Sequence, residues 1–265
     1  MENLQSDHLD TQNLYRDMQK RTGGEIYIGV VGPVRTGKST FIKRFMDVAV
    51  LPYMEDAAQK TRAQDELPQS AGGRTITTTE PKFIPQEAVE LKLAGEVTIR
   101  VRLVDCVGFM VEGAAGHLED GAERLVKTPW YDHEIPFTQA AELGTRKVIT
   151  DHSTIGVVVT TDGSFSDLPQ ETYLDAENQA ISELKKLHKP FLVLVNSSHP
   201  SSRTAREAAE RIEKQHSVAA MPVNCAQLTE EDIRQIMEQI LYEFPVSRVE
   251  FYMPKWVEML PLSHP

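Results

Sequence analysis

Residues 32–39 read GPVRTGKS and fit the pattern GxxxxGK[ST] of a phosphate-binding loop. They follow an apolar, β-type run at residues 26–31 and precede a helix-like segment at residues 40–48. A strand, a glycine-containing loop and a helix in this order form the context in which the motif binds nucleotide phosphates. The stretch therefore predicts a P-loop NTPase fold.

Each position of this loop has an expected role toward a nucleoside triphosphate. The two glycines let backbone N–H groups turn inward around the α- and β-phosphates, and Lys38 reaches the β- and γ-phosphate oxygens. Ser39 is a predicted Mg²⁺ ligand. We assign nucleotide binding to Gly32, Pro33, Val34, Arg35, Thr36, Gly37, Lys38, Ser39 and Thr40, and a catalytic role to Lys38.

Arg35 is the fourth residue of the loop. Its guanidinium would neutralise charge that develops on the β- and γ-phosphates, a role otherwise given to an arginine finger. We therefore include Arg35 among the catalytic candidates. The alternative is an ordinary solvent-exposed arginine.

A second motif, LVDCVG at residues 103–108, ends a β-type run and contains the pattern DxxG. A carboxylate at the end of such a strand holds the Mg²⁺ shell, so Asp105 is a predicted metal and catalytic residue. The Gly108 N–H is predicted to donate to a γ-phosphate, which links the nucleotide to the loop that follows.

A threonine-rich run, TITTT at residues 75–79, lies between the two motifs. A threonine in this place closes over the site, with its hydroxyl on Mg²⁺ and its N–H on the γ-phosphate. Thr78 and Thr79 are the candidates, and Thr79 is assigned as a metal ligand. The alternative is that β-branched residues here only begin a strand.

The base site decides between ATP and GTP. A P-loop, an antiparallel second strand, DxxG and a switch threonine resemble the translation-factor-related GTPases, which read guanine with NKxD. The corresponding residues 196–199 here are NSSH, so Asn196 is kept while the lysine and the aspartate are replaced. Loss of the paired acceptor for guanine removes that preference, and we predict ATP binding, with Asn196 at the nucleotide. Asp162, at the end of a parallel strand, is interpreted as a turn-forming residue.

The fold is predicted as α/β, with a mostly parallel sheet, one antiparallel edge strand and helices on both faces. A hairpin joins strands at residues 82–93 and 97–104, and strands and helices alternate from residue 156 to 242. Residues 51–80 are predicted as a long loop with room for one set of helical turns, and residues 109–136 as irregular. We expect an N-terminal extension at residues 1–22, the ATPase domain at 23–244 and the start of a following region at 245–265.

Composition excludes several classes of function. The formal charge of −11 disfavours nucleic-acid binding, which needs clustered Lys and Arg. The two cysteines, Cys106 and Cys225, have no metal-ligand spacing. The N-terminus is acidic and polar, unlike a signal peptide, and a cytosolic setting is the expectation.

Several stretches resemble the stage IV sporulation protein A family, including residues 23–46, 62–83, RLVDCVG at 102–108 and TPWYD at 128–132. The resemblance implies an ATPase of spore-forming bacteria whose hydrolysis drives self-assembly of the spore-coat basement layer. It also implies a mother-cell cytoplasmic location at the outer forespore surface. There the family is tethered by sporulation protein VM, chiefly through a carboxyl-terminal region. It assigns function to Lys38, Asp105, Thr78 and Thr79.

Two other functions remain open at the level of sequence. One is a regulatory GTPase that acts on a partner through its switch loops. The other is a structural protein that binds nucleotide without turning it over. No catalytic glutamine follows Gly108, so hydrolysis is expected to be slow.

Overall fold

The computed structural model describes residues 16, 19–68, 80–93, 97–114, 118–119, 122–165 and 168–244. The core strand β1 (Glu25–Val31) is apolar and nearly all buried. Ile26, Ile28 and Val30 enter one core and Val31 enters the other, because successive side chains of a strand point to opposite faces. This strand therefore needs cover on both faces.

The sheet has six strands in the order β10-β9-β8-β1-β3-β2. The only antiparallel pair recorded within it joins β2 to β3, so β2 is an antiparallel edge strand. The predicted fold class is confirmed. The strands are β2 (Lys82–Leu93), β3 (Val97–Asp105), β8 (Ile155–Thr161), β9 (Phe191–Asn196) and β10 (Ala220–Val223).

Helices cover both faces of this sheet. Apolar residues of α1 and α6 fill the core on one face, and those of α4 and α5 fill the other. The helices are α1 (Lys38–Phe45), α2 (Ala57–Asp65), α3 (Phe137–Lys147), α4 (Leu174–Lys186), α5 (Arg203–His216) and α6 (Glu230–Tyr242). Within the described ranges, no helix has the length and apolar character that crossing a membrane requires.

Residues 51–80 contain α2, which corresponds to the helical turns allowed for in that loop, and the Asp56 carboxylate caps it by accepting from Ala58 N and Gln59 N. The prediction that residues 109–136 are irregular was wrong. Residues 109–136 contain the hairpin β6 (Leu125–Thr128) and β7 (Tyr131–Pro136), besides the two-residue strands β4 (Leu118–Glu119) and β5 (Ala122–Glu123). The strands of this hairpin stand outside the main sheet and are mostly exposed, so apolar patterning did not reveal them.

The helix expected at residues 40–48 begins at Lys38 in the structure. The chain continues beyond α1 and α3 as π-helical segments, Met46–Val50 and Val148–His152. Residues 19–22 are helical and lead into Gly23 and Gly24, both at positive φ. The three-part division of the chain stays a prediction, and its last part, residues 245–265, lies outside the described residues.

Candidate nucleotide-binding site

The phosphate-binding loop at residues 32–39 connects β1 to α1, and two of its backbone positions require glycine. Gly32 has φ 129° and Gly37 has φ 98°, both in the left-handed region. A Cβ atom at Gly32 would lie 2.4 Å from the Val159 carbonyl oxygen, and one at Gly37 would lie 2.3 Å from Asn196 Nδ2. The loop is therefore pressed against the ends of β8 and β9.

Lys38 is buried at the start of α1, and its ammonium group lies inside the loop. Lys38 Nζ donates to the Pro33 carbonyl oxygen at 2.6 Å. Burial lowers the pKa of Lys38, while the nearby Cys106 and Asp105 oppose that shift. The cation is held where the motif requires it for phosphate contact.

Asp105 at the end of β3 meets Ser39 at the start of α1. Ser39 Oγ donates to Asp105 Oδ2 at 2.9 Å, and Cys106 N donates to Asp105 Oδ1 at 2.9 Å. Burial raises the pKa of Asp105, and the Lys38 ammonium and the Ser39 hydroxyl oppose the rise. A hydroxyl beside a carboxylate suits Mg²⁺, which takes few protein ligands besides phosphates and waters. The described part of the chain contains no cluster of three or more His, Cys, Asp or Glu for a metal held by protein alone.

The DxxG segment is joined to the phosphate-binding loop by backbone hydrogen bonds. Phe109 N donates to the Gly32 carbonyl at 3.0 Å, and Val34 N donates to the Phe109 carbonyl at 2.9 Å. Gly108, at φ 99°, packs so closely that a Cβ atom would lie 2.3 Å from Gly32 O and 2.6 Å from Lys38 Nζ. The backbones of the two motifs are therefore hydrogen-bonded to each other.

Asn196 joins three segments through its amide. Asn196 Nδ2 donates to the Thr36 carbonyl at 3.0 Å, and Asn196 Oδ1 accepts from Cys225 N at 3.0 Å. Thr36 is in turn fixed to β8, because its hydroxyl donates to the Val159 carbonyl at 2.6 Å. The first residue of NSSH therefore braces the phosphate-binding loop and the loop after β10.

The remaining residues of NSSH form a polar corner with the end of β8. Ser197 Oγ donates to Asp162 Oδ2 at 2.6 Å and accepts from His199 N at 3.0 Å. Asp162 Oδ1 accepts from Ser164 N at 3.0 Å. Asp162 is the predicted turn former and also the partner of Ser197.

The structure brings together the residues of the two motifs and Asn196. Arg35 is exposed, with φ 63°, and Thr40 is half-buried on α1. Thr78 and Thr79 lie outside the described residues. The functional roles assigned to all these residues stay predictions.

Three contributors to the site were missed by sequence reasoning. Thr145 on α3 accepts a hydrogen bond from Gly108 N at 3.2 Å, and no sequence signal indicates it. The Val159 carbonyl supports the loop through backbone alone. Cys225 follows β10, and its position at the carboxyl edge of the sheet was the one available signal.

Comparison with known proteins gives a consistent result. The family profile described as "Stage IV sporulation protein A, ATPase domain" matches residues 9–245. The protein named stage IV sporulation protein A of Clostridioides difficile (strain 630) is 50% identical to this chain, over 95% of this chain and 51% of that protein. The identity is 45% in Bacillus subtilis (strain 168) and 44% in Bacillus anthracis, in each case over 97% of this chain and 52% of the relative.

The chain thus spans about half the length of the curated relatives that it matches. The residues of this chain that the family profile matches, 9–245, include both nucleotide motifs and the whole described sheet. With the family profile covering most of the residues, the conclusion is that this chain belongs to the stage IV sporulation protein A family, in its ATPase domain.

Proposed function

We propose that this chain binds ATP with Mg²⁺ and hydrolyses it slowly to ADP and phosphate. The observation that carries the proposal is the cluster formed by Lys38, Ser39 and Asp105, with the ammonium inside the loop and a hydroxyl 2.9 Å from a carboxylate. The family's ATPase domain agrees with it.

The residues of this cluster divide the work. Ser39 and Asp105 would hold Mg²⁺, which when bound neutralises charge on the β- and γ-phosphate oxygens. N–H groups of the loop and the N-terminus of α1 would bind the phosphates. Lys38 exchanges the Pro33 carbonyl for phosphate oxygens and stabilises the negative charge of the transition state.

The base corner supports ATP over GTP. Guanine recognition by NKxD needs a carboxylate free to accept from the base, and residue 199 is a histidine. The neighbouring carboxylate of Asp162 already accepts from Ser197 Oγ on one oxygen and from Ser164 N on the other. Without a carboxylate at residue 199, the guanine N1 and N2 donors lose the paired acceptor that NKxD provides.

Phosphate release from purified protein tests hydrolysis. We expect Lys38→Ala to abolish release from Mg²⁺-ATP and Lys43→Ala, on the exposed face of the same helix, to leave it unchanged. Competition of ATP and GTP for the site measures base preference. Equal or tighter GTP binding would favour a regulatory GTPase, whereas ATP binding without release would favour a structural protein.

For the whole protein, we propose that ATP hydrolysis drives self-assembly into the spore-coat basement layer. Its place is the mother-cell cytoplasm, at the outer forespore surface, with sporulation protein VM as the tether. Family membership supports this proposal. Sedimentation of the full-length protein tests it: Mg²⁺-ATP should produce a pelleting polymer that Lys38→Ala does not form. Equal pelleting of both proteins would separate assembly from hydrolysis.

A further inference from the structure

The Gly108 N–H donates a hydrogen bond to a side chain of α3. Its acceptor is Thr145 Oγ1 at 3.2 Å, and Thr145 is fully buried on α3. The Thr145 hydroxyl proton is used elsewhere, because Oγ1 donates to the Ala141 carbonyl at 2.8 Å. The hydroxyl oxygen therefore faces Gly108 as an acceptor.

Gly108 stands beside the cation of the phosphate site. A Cβ atom at Gly108 would lie 2.6 Å from Lys38 Nζ, and the next N–H, that of Phe109, donates to the Gly32 carbonyl. A terminal phosphate that contacts Lys38 would lie within reach of the Gly108 N–H. One N–H makes one good hydrogen bond, so this phosphate and Thr145 Oγ1 are alternative acceptors.

Helix α3 is fixed to the hairpin of β6 and β7 at its other end. Phe137 N donates to the Arg124 carbonyl at 2.8 Å, and the Arg124 guanidinium carbon lies 4.3 Å from the centre of the Phe137 ring. Helix α3 therefore connects Thr145, which contacts the DxxG segment, with Arg124, which precedes β6.

We propose that Thr145 is a positioning residue that makes the site distinguish triphosphate from diphosphate. Its hydroxyl holds the Gly108 N–H, and a γ-phosphate takes that N–H over, which releases α3 from the DxxG segment. A diphosphate has no group for this exchange and leaves the Gly108–Thr145 bond in place. The inference rests on the proposed function, since it needs a nucleotide in the loop.

The variant Thr145→Val tests the exchange, because valine keeps the shape and removes the acceptor. A non-hydrolysable ATP analogue should bind about fivefold more tightly to this variant. Its γ-phosphate no longer has to displace the Gly108–Thr145 hydrogen bond, which is worth roughly 1 kcal/mol. ADP affinity should stay unchanged. Thr145→Ser should restore the ratio of the two affinities, and Thr138→Val, on the first turn of the same helix, should not alter it.

A purely structural role for Thr145 predicts a different result. The variant would then unfold at a lower temperature and bind both nucleotides equally more weakly, and an unchanged affinity ratio would overturn the inference. If the wild type binds neither nucleotide, the proposed function is wrong and this inference falls with it. If the wild type binds both and the ratio does not move, only the inference falls.

Hydrogen–deuterium exchange on the wild type gives a second test that needs no variant. The Gly108 amide should be protected without nucleotide and with the ATP analogue, while peptides of α3 should exchange faster only with the ATP analogue. Unprotected Gly108 without nucleotide, or identical α3 exchange with ADP and the analogue, would contradict the exchange of partners.

Discussion

The side-chain amide of Asn196 links the phosphate-binding loop to the loop after β10. Asn196 donates to the loop at Thr36 and accepts from Cys225, and its side chain is almost fully buried. Both partners are backbone groups that would lose this side-chain hydrogen bond if the amide were removed. Buried backbone groups without partners cost free energy, so we expect Asn196 to stabilise the fold whether or not a nucleotide is bound.

Asn196→Ala should therefore destabilise the protein. We expect a loss of about 2 kcal/mol in the free energy of unfolding, because the Cys225 N–H and the Thr36 carbonyl are left unsatisfied. Urea unfolding measures it. Gln239→Ala, which removes an exposed amide from α6, is the control and should change the unfolding free energy by less than about 0.5 kcal/mol. Equal effects of the two variants would show that the bracing role is absent.

The two thiols should be unreactive in the native protein. Burial raises the pKa of Cys106 to about 11 and that of Cys225 to about 12, so neither forms the nucleophilic thiolate near pH 8. A thiol-specific reagent such as DTNB should react slowly with the native chain and rapidly with both thiols in denaturant. Fast native reaction of either cysteine would show that its surroundings open readily.

At the scale of elements, α6 shows how local signals determine a helix. Its start is a capping box, in which the Thr229 hydroxyl accepts from Asp232 N at 3.2 Å and Asp232 Oδ2 accepts from Thr229 N at 2.8 Å. One turn later, hydrogen bonds from Arg234 and Gln235 lower the pKa of Glu231 to about 2. The acidic first turn also complements the helix dipole.

This pKa gives the acid stability of α6 a defined sign. A carboxylate whose pKa is lower in the folded state stabilises the protein above its unfolded pKa, and that contribution is lost as the pH falls toward the folded value. Glu231→Gln should cost less than about 1 kcal/mol at pH 7, because the pair is exposed. The difference should shrink between pH 4.5 and 2. A difference that is constant over this range would exclude the ion pair as its cause.

The elements that the sequence predicted well are those with caps and periodicity. The sequence predicts helices at residues 203–216 and 230–242, with Thr229 as a cap, and α5 and α6 have these bounds, capped by Ser202 and Thr229. Pro85 predicts an edge strand or a bulge, and β2 is an edge strand with a register shift between Ile84 and Val89. The β6–β7 hairpin was missed because its strands are mostly exposed.

The site was predictable wherever it depends on a motif and not where it depends on tertiary approach. Lys38, Ser39 and Asp105 follow from their motifs, and the structure brings them together. Thr145 lies 37 residues from Gly108 on a helix without a motif, so only the packing of α3 reveals it. The partner of Ser197 is likewise set by the neighbouring strand ends.

For the whole molecule, the site is assembled from segments distant in sequence. The loop after β1 contacts the ends of β3, β8 and β9, and Asn196 adds the loop after β10. These strands are parallel, so their carboxyl ends meet at one edge of the sheet. A nucleotide bound at this edge would stabilise the whole fold against unfolding.

Mg²⁺-ATP should therefore raise the unfolding temperature more than Mg²⁺-GTP does. At an ATP concentration about 100 times the dissociation constant, binding adds roughly 2.7 kcal/mol to the free energy of unfolding. For a domain of this size, this raises the unfolding temperature by about 5–10 °C. Differential scanning fluorimetry measures the shift. Removal of Mg²⁺ with EDTA should reduce it and Lys38→Ala should remove it, whereas Lys43→Ala should keep it. An equal shift with GTP would contradict the proposed base preference.

The backbone bridge between Pro33 and Phe109 has a genetic consequence. Because the phosphate-binding loop and the DxxG segment share hydrogen bonds, a substitution that displaces one displaces the other. Suppressor mutations that rescue a weakened loop should accordingly arise around residues 106–109, about seventy positions away along the chain. We therefore expect the effect of a substitution in one motif to depend on the residues present in the other.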